Sequence, residues 1–101
     1  MGQVRCKVIN GVVHEIHRVV VHRFEINEQH SNPDLFAKGY LYHWQQSTPD
    51  GQFITEHAID EIDYEKYLDP LTYDYKAVII AEIEKKKLSE YYLRFPNKGT
   101  V

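Results

Sequence analysis

Cysteine is almost absent from this chain of 101 residues, since Cys6 is the only one. A lone cysteine excludes a disulfide within the chain and any metal site that needs several thiolates. Chains without structural disulfides are typical of reducing compartments, so the sequence predicts a cytoplasmic location.

Long apolar runs are also lacking. The longest spans only residues 77–81, whereas a transmembrane helix needs about 18 apolar residues, so we expect no membrane partner. Arg5 and Lys7 are not followed by the apolar stretch of a secretory signal, and we expect none. The net charge of −3 disfavours a protein that coats nucleic acid, so we expect no nucleic-acid partner.

Motifs that bind metals or nucleotides, or that activate a nucleophile, are missing. The six histidines form no His-Glu-x-x-His pattern, the five glycines form no phosphate loop, and no Gly-x-Ser-x-Gly elbow occurs. The acid pairs Asp60/Glu61 and Asp63/Glu65 lie in a polar segment, where water keeps carboxylates ionised. We therefore expect a non-catalytic protein without cofactor or metal. A small metal-dependent hydrolase built on the histidines is the alternative enzyme hypothesis.

The N-terminal quarter carries a hairpin signal. Residues 4–9 alternate between apolar and polar side chains, and residues 12–26 continue as a second strand. Asn10 and Gly11 between them tolerate the positive φ angles of a tight two-residue turn. Such a turn predicts the following opposed pairs: Ile9 with Val12, Val8 with Val13, Cys6 with Glu15 and Val4 with His17.

The second strand has its apolar residues in the wrong phase for this register. Its better apolar face lies at even positions: Ile16, Val20, Phe24 and Ile26. The register places the apolar residues of the first strand opposite odd positions instead. Because a slip of one residue exchanges the two faces of a strand, we predict a β-bulge or a break near residues 14–18. A turn looser than the tight two-residue form is the alternative explanation.

Two helices are predicted in the middle of the chain. Residues 32–34, Asn-Pro-Asp, have the residue types of a helix start: a side-chain cap, a proline and an acid. An apolar stripe follows at helical spacing: Phe36, Ala37, Tyr40, Leu41 and Trp44. Residues 47–51 predict a turn. Beyond it, Ile54, Ala58 and Ile62 recur every four residues and predict a second short helix, although residues 52–58 alone could also form a strand.

Residues 75–95 are the richest in apolar side chains. With a period of two, residues 77, 79, 81 and 83 share one face, and residues 91, 93 and 95 share a face beyond the lysines at 85–87. This pattern predicts an antiparallel hairpin with a lysine turn. Ala, Glu and Lys also favour helix, but a helix would scatter the apolar residues around its surface. We therefore favour the hairpin.

The order of elements predicts an α+β fold. One antiparallel sheet forms from an N-terminal and a C-terminal hairpin, and the two short helices between them cover one face. The whole chain is expected to be a single domain, with residues 96–101 as a frayed tail. Residues 60–74 are expected to be irregular.

One surface candidate stands out in residues 56–75, where many acids are opposed only by Lys66 and tyrosines are interleaved. Tyrosine offers a large contact area, and a ring of acids attracts a basic partner. We predict a docking surface for a basic protein that includes Asp60, Glu61, Asp63, Tyr64, Glu65, Tyr67, Asp69 and Tyr73. The alternative is a solvated loop whose tyrosines pack back on the sheet.

Two segments carry a family resemblance. The first is Leu-Tyr-His-Trp-Gln-Gln-Ser at 41–47, followed by Gly-Gln-Phe-Ile at 51–54 and Glu-His-Ala at 56–58. The second is Asp-Pro-Leu-Thr-Tyr at 69–73, followed by residues 77–84. Over about residues 19–95 the chain resembles small proteins of tailed bacteriophages. That family has no assigned activity, so the resemblance implies no catalytic residue. It implies a viral accessory protein in the host cytoplasm or a minor assembly component.

These observations favour a non-catalytic interaction module, an accessory protein that binds or inhibits a host or viral protein through the acidic, tyrosine-rich surface. The alternative is a structural or assembly protein that forms homo-oligomers along a sheet edge. Edge strands invite such pairing, and residues 19–21 or 78–80 are the expected edge segments.

Overall fold

The computed structural model describes residues 3–26 and 32–96. The described residues form these elements: β1 (Gln3–Ile9), β2 (Val12–Glu25), α1 (Pro33–Ser47), α2 (Pro49–His57), β3 (Asp63–Leu68), β4 (Tyr75–Glu84) and α3 (Lys85–Arg94). The strands make one antiparallel sheet in the order β1-β2-β4-β3. The α+β class and the antiparallel sheet are thereby confirmed. The expected tail lies outside the described residues from position 97 onward.

The N-terminal hairpin has the predicted register. Asn10 and Gly11 take φ angles of 51° and 78°, as a turn that matches the right-handed twist of two strands requires. Val4 pairs with His17 and Cys6 with Glu15. Turn chemistry alone was sufficient to predict this pairing.

The predicted position of the bulge is wrong. The register shifts between Val20 and His22, in the pairing of β2 with β4, and Val21 is the extra residue. Val21 is 2% exposed and belongs to the core, whereas Val20 is 39% exposed. The bulge lies beyond the end of β1, whose pairing stops at Arg18.

The helices begin at similar signals. Asn32 caps α1 by accepting a hydrogen bond from the Leu35 N–H, as predicted. Residues 47–51, however, do not form a separate turn, because Thr48 caps α2 and Pro49 is its first residue. The Thr48 hydroxyl accepts from the Gly51 N–H at 3.1 Å and donates to the Trp44 carbonyl at 2.6 Å. Helix α2 therefore starts earlier than predicted and ends at His57.

The predicted C-terminal hairpin is wrong. Strand β4 already has β2 on one side and β3 on the other, so no edge is left for a following strand. The chain turns instead into α3, in which Glu90 pairs with Lys87 at 3.4 Å and Arg94 at 3.6 Å. Only Leu88 and Tyr91 of this helix are buried.

One face of the sheet packs against the helices to form the core. The largest fully buried side chains are Trp44, Tyr91, Ile16, Ile54, Ile79 and Ile83. All of them except Ile16 belong to the cluster between sheet and helices. The indole N–H of Trp44 donates to Asp50 at 3.3 Å and links α1 to α2. Of the helices described, none has both the length and the apolar character needed to cross a membrane.

Candidate docking edge

The residues predicted to bind a partner lie along one edge of the sheet. Asp63, Tyr64, Glu65 and Tyr67 belong to β3, which is an edge strand rather than the expected irregular segment. Asp60 and Glu61 lie two to three residues before the start of β3. Asp69 and Tyr73 lie in the turn that joins β3 to β4. We call residues 60–75 the β3 edge.

Strand β3 presents different side chains on its two faces. Tyr64 and Lys66 pair with Ile79 and Ala77 of the core, so they lie on the helix side of the sheet. Alternation then places Asp63, Glu65 and Tyr67 on the opposite, open face. The predicted surface is therefore divided between both sides of one strand.

The acids of the β3 edge are only partly neutralised. Asp60 lies 3.5 Å from Arg5, and Glu65 lies 3.9 Å from Arg18, with both carboxylates more than half exposed. Exposed pairs of this kind are worth at most about 1 kcal/mol. Within the described residues, Glu61 and Asp63 have no cation at ion-pair distance. The edge thus keeps an acidic field that a basic partner can use.

The tyrosines of the predicted surface behave differently from one another. Tyr64 packs against the fold, as the solvated-loop alternative expected for the tyrosines, and its hydroxyl donates to Asp34 of α1 at 3.3 Å. Burial and the neighbouring carboxylate of Asp34 raise the pKa of Tyr64. Tyr67 and Tyr73 remain 40% and 78% exposed. The contact area offered to solvent therefore comes from these two rings.

The β3–β4 turn is tightly held. The Asp69 carboxylate accepts from the Leu71 N–H at 2.9 Å and from the Lys76 ammonium at 2.6 Å. These hydrogen bonds lower the pKa of Asp69. Asp69 thus stabilises the turn, and its carboxylate points into the structure.

The same turn displays apolar side chains at the surface. Tyr73 has a φ of 59°, a left-handed conformation that is uncommon for a residue with a side chain. Leu71, two residues earlier, is 89% exposed. Strained backbone that is held in place by its surroundings occurs often at binding sites.

The outer backbone groups of β3 follow from the hydrogen-bond pattern. The Ile26 N–H donates to the Tyr75 carbonyl, so Tyr75 directs its backbone groups toward β2. Leu68, which pairs with Tyr75, and Lys66, two residues earlier, therefore direct their N–H and C=O groups outward. The Tyr64 N–H also points outward, but the carboxylate of Asp63 accepts it at 2.8 Å. In the described part of the chain, no strand pairs with this edge.

The binding residues named from the sequence did not include Lys66, Leu68, Leu71 or Tyr75, although all four lie in the predicted segment 56–75. Lys66 lies 5.5 Å from the centre of the Tyr75 ring and 3.4 Å from Asp34. Leu68 and Tyr75 are 48% and 43% exposed. The alternation in residues 63–68 was the available signal, but acids are poor strand formers and the segment was predicted to be irregular.

The strands available for self-association also differ from those expected. Residues 19–21 and 78–80 lie in the central strands β2 and β4, so the prediction that they form an edge is wrong. The edges of the sheet are β1 and β3.

An open cleft of about 400 Å³ lies beside the start of the β3 edge, lined by Gln45, Thr55, Ala58, Asp60, Glu61 and Ile62. Its polar lining and wide mouth differ from the mostly apolar pockets that bind small molecules. Among residues 3–26 and 32–96, no three His, Cys, Asp or Glu side chains are grouped so that they could hold a metal ion.

Comparison of the chain with protein-family models, with curated proteins and with solved structures finds no match in any of the three.

Proposed function

We propose that this chain is a non-catalytic protein-binding module that docks a basic segment of another protein along the β3 edge. One observation carries the proposal: an edge strand with outward backbone groups at Lys66 and Leu68 is flanked by exposed acids and exposed tyrosines. An extended segment that adds to such an edge gains main-chain hydrogen bonds, and side chains on either face supply the specificity.

Each part of the edge has a separate role in binding. The acids at 60, 61, 63 and 65 attract a basic partner and raise its association rate. Tyr67 and Tyr73, with Leu71 between them, provide the apolar contact that slows dissociation, because aromatic anchors dominate the energy of most interfaces. The acids and the rings lie at opposite ends of β3, so the partner contacts a line rather than a patch.

The biological setting is part of the proposal. The resemblance to small proteins of tailed bacteriophages supports a viral accessory protein whose partner is a host or viral protein. A basic partner agrees with the acidic edge, since many proteins that hold nucleic acid expose basic surfaces.

Affinity capture with tagged protein tests the proposal. The double variant Asp63→Lys with Glu65→Lys reverses charge on the open face of β3. A matched control, Glu25→Lys with Glu56→Lys, reverses two exposed acids outside the β3 edge. We expect the native chain and the control to capture the same stoichiometric partner from bacterial lysate, and the edge variant to lose it.

Circular dichroism and the melting temperature must show that both variants fold. Capture by the edge variant at the native level, with the fold intact, contradicts the proposal. A partner that the control variant loses as readily as the edge variant also contradicts it, because the binding then depends on net charge alone.

A further inference from the structure

The opposite edge of the sheet has complementary chemistry. Strand β1 carries Arg5 and Lys7, with valines at 4 and 8 that are 56% and 65% exposed. Because the Asn10-Gly11 turn makes Ile9 and Val12 a hydrogen-bonded pair, alternate residues 4, 6 and 8 direct their backbone groups away from β2. Within the described chain, only β2 pairs with β1.

The two edges also have compatible directions. Strands alternate in direction across the order β1-β2-β4-β3, so β1 and β3 run opposite to each other. The two edge strands are offset along the sheet, since Lys66 pairs with Ala77 whereas Cys6 pairs with Glu15, next to the Ile16–Glu84 pair. A copy with its helices on the same side, moved sideways and also along the strands by about 26 Å (eight residues), brings its β1 beside β3 as an antiparallel neighbour.

One register joins the two edges over the whole of β3. In this register, each residue of β1 lies opposite the residue of β3 whose number adds up with its own to 72. Residues with outward backbone groups on one strand therefore face residues with outward backbone groups on the other. The opposed pairs are Val8 with Tyr64, Lys7 with Glu65, Cys6 with Lys66, Arg5 with Tyr67 and Val4 with Leu68. Two apolar pairs lie on the helix side. On the open face, Lys7 lies opposite the carboxylate of Glu65, and Arg5 lies opposite the aromatic ring of Tyr67.

We propose that β1 of a second copy also occupies the β3 edge, where it docks head to tail and continues the sheet. This inference rests on the proposed function and names a second partner for the same edge, with which the basic segment of another protein competes. The contact is heterologous, so each copy leaves one free edge and the assembly grows by repetition. Arg5 is already held by Glu82 at 2.8 Å, whereas Lys7 has no acid at ion-pair distance among the described residues, so Lys7 provides the charge for Glu65.

The charges also disfavour the symmetric alternative. Two β1 strands that pair around Cys6 place Arg5 opposite Lys7 of the other copy, and like charges directly opposite are destabilising. The charges therefore favour pairing of β1 with β3 of another copy and disfavour pairing of β1 with β1.

A disulfide trap tests this geometry in the whole chain. The variant Lys66→Cys places a thiol opposite Cys6 of the next copy, at the spacing of about 5.5 Å between α-carbons that a disulfide accepts. Within one chain the two positions lie on opposite edges, separated by three strand spacings (about 14 Å) and also by about eight residues along the strands, so they cannot be joined. Mild oxidation of the variant should give a ladder of covalent oligomers.

Two controls define the other outcomes of the trap. The double variant Lys66→Cys with Cys6→Ser should give no ladder. The native chain should stay uncrosslinked, and a covalent native dimer would instead indicate symmetric pairing at Cys6 and overturn the proposal. A monomeric Lys66→Cys variant at high protein concentration would overturn it as well.

A charge exchange gives a second readout without cysteine chemistry. Lys7→Glu alone and Glu65→Lys alone should each abolish the oligomers seen by sedimentation velocity at low salt, and the double variant should restore them. Oligomers that persist in both single variants contradict the register. If self-association is absent while edge-dependent capture of another protein persists, the inference fails and the proposed function stands. If substitutions in the β3 edge change neither capture nor self-association, the inference and the proposed function both fail.

Discussion

The hydroxyl of Tyr91 donates a hydrogen bond of 2.9 Å to the carbonyl of Val21, inside the core. Val21 is the extra residue of the bulge in β2, where the ladder between strands is interrupted and a carbonyl needs another donor. Helix α3 therefore stabilises the irregularity that brings Phe24 and Ile26 onto the helix side of the sheet. Burial raises the pKa of the Tyr91 hydroxyl above its usual value.

Loss of this hydroxyl should destabilise the protein. Tyr91→Phe leaves the Val21 carbonyl buried without a partner, which costs about 1–3 kcal/mol. Tyr92→Phe is the matched control, because Tyr92 is only half-buried and makes no side-chain hydrogen bond within the described residues, so it should change stability by less than about 0.5 kcal/mol. Urea unfolding measures both. Equal effects in the two variants would contradict the role of the hydroxyl.

The position of the bulge can be tested with two consecutive valines. Val21→Ala removes two buried methyl groups and should cost about 2 kcal/mol. Val20 lies on the open face, and Val20→Ala should cost less than about 1 kcal/mol. A regular strand with its even positions buried predicts the reverse order. The free energies of unfolding of the two variants decide between these arrangements.

The junction of α1 and α2 requires glycine at position 51. A Cβ atom there would lie 1.8 Å from the Trp44 carbonyl oxygen and 2.6 Å from the Thr48 hydroxyl oxygen. Gly51→Ala should therefore destabilise the protein by about 3 kcal/mol or more, because backbone must move. At Gly39 a Cβ meets nothing within 4 Å, and Gly39→Ala in an exposed helix should stabilise by about 0.5–1 kcal/mol. Thermal melting of the pair should show shifts of opposite sign, and shifts of the same sign would refute this account of the junction.

The β3–β4 turn should lose stability in acid. Hydrogen bonds from Lys76 and the Leu71 N–H lower the pKa of Asp69 in the folded state. A lowered pKa contributes stability that is present above the unfolded value of about 3.9 and is lost as the pH falls through the folded value. The difference in melting temperature between Asp69→Asn and the native chain should therefore shrink as the pH is lowered from about 6 to about 2. A difference that stays constant over this range would exclude the contribution of the Asp69 charge.

Local chemistry in the sequence predicted part of the fold correctly. Asn10-Gly11 determined the first hairpin, and the Asn-Pro-Asp start at 32 determined the beginning of α1, because both signals act within a few residues. The Thr-Pro-Asp start at 48 carries the same information, but its glycine favoured a turn instead.

The remaining errors concern long-range effects. The bulge depends on Tyr91, 70 residues away along the chain, so alternation within β2 could show that a slip exists but not where. Whether residues 63–68 form a strand depends on the free edge of β4, which overrides the weak strand preference of their acids. Helix α3 agrees with the helix preference of its lysines and glutamate. The apolar pattern that suggested a strand was misleading, because it includes Leu93, which is 83% exposed.

The candidate site was predicted as a segment and not as an edge. The acids and tyrosines were found from composition, whereas their arrangement along a strand with outward backbone groups requires the sheet order. Asp69 and Tyr64 illustrate the limit, since both have the expected residue type but bond within the fold through Lys76 and Asp34.

Amide hydrogen exchange along β3 tests the docking edge most directly. In dilute protein the outward amides of Lys66 and Leu68 should exchange rapidly, and those of Glu65 and Tyr67, which bond to β4, should exchange slowly. Addition of the captured partner, or of more of the same chain, should slow Lys66 and Leu68 and leave Glu65 and Tyr67 unchanged. Unchanged exchange at Lys66 and Leu68 in a sample that demonstrably holds the complex would contradict the account.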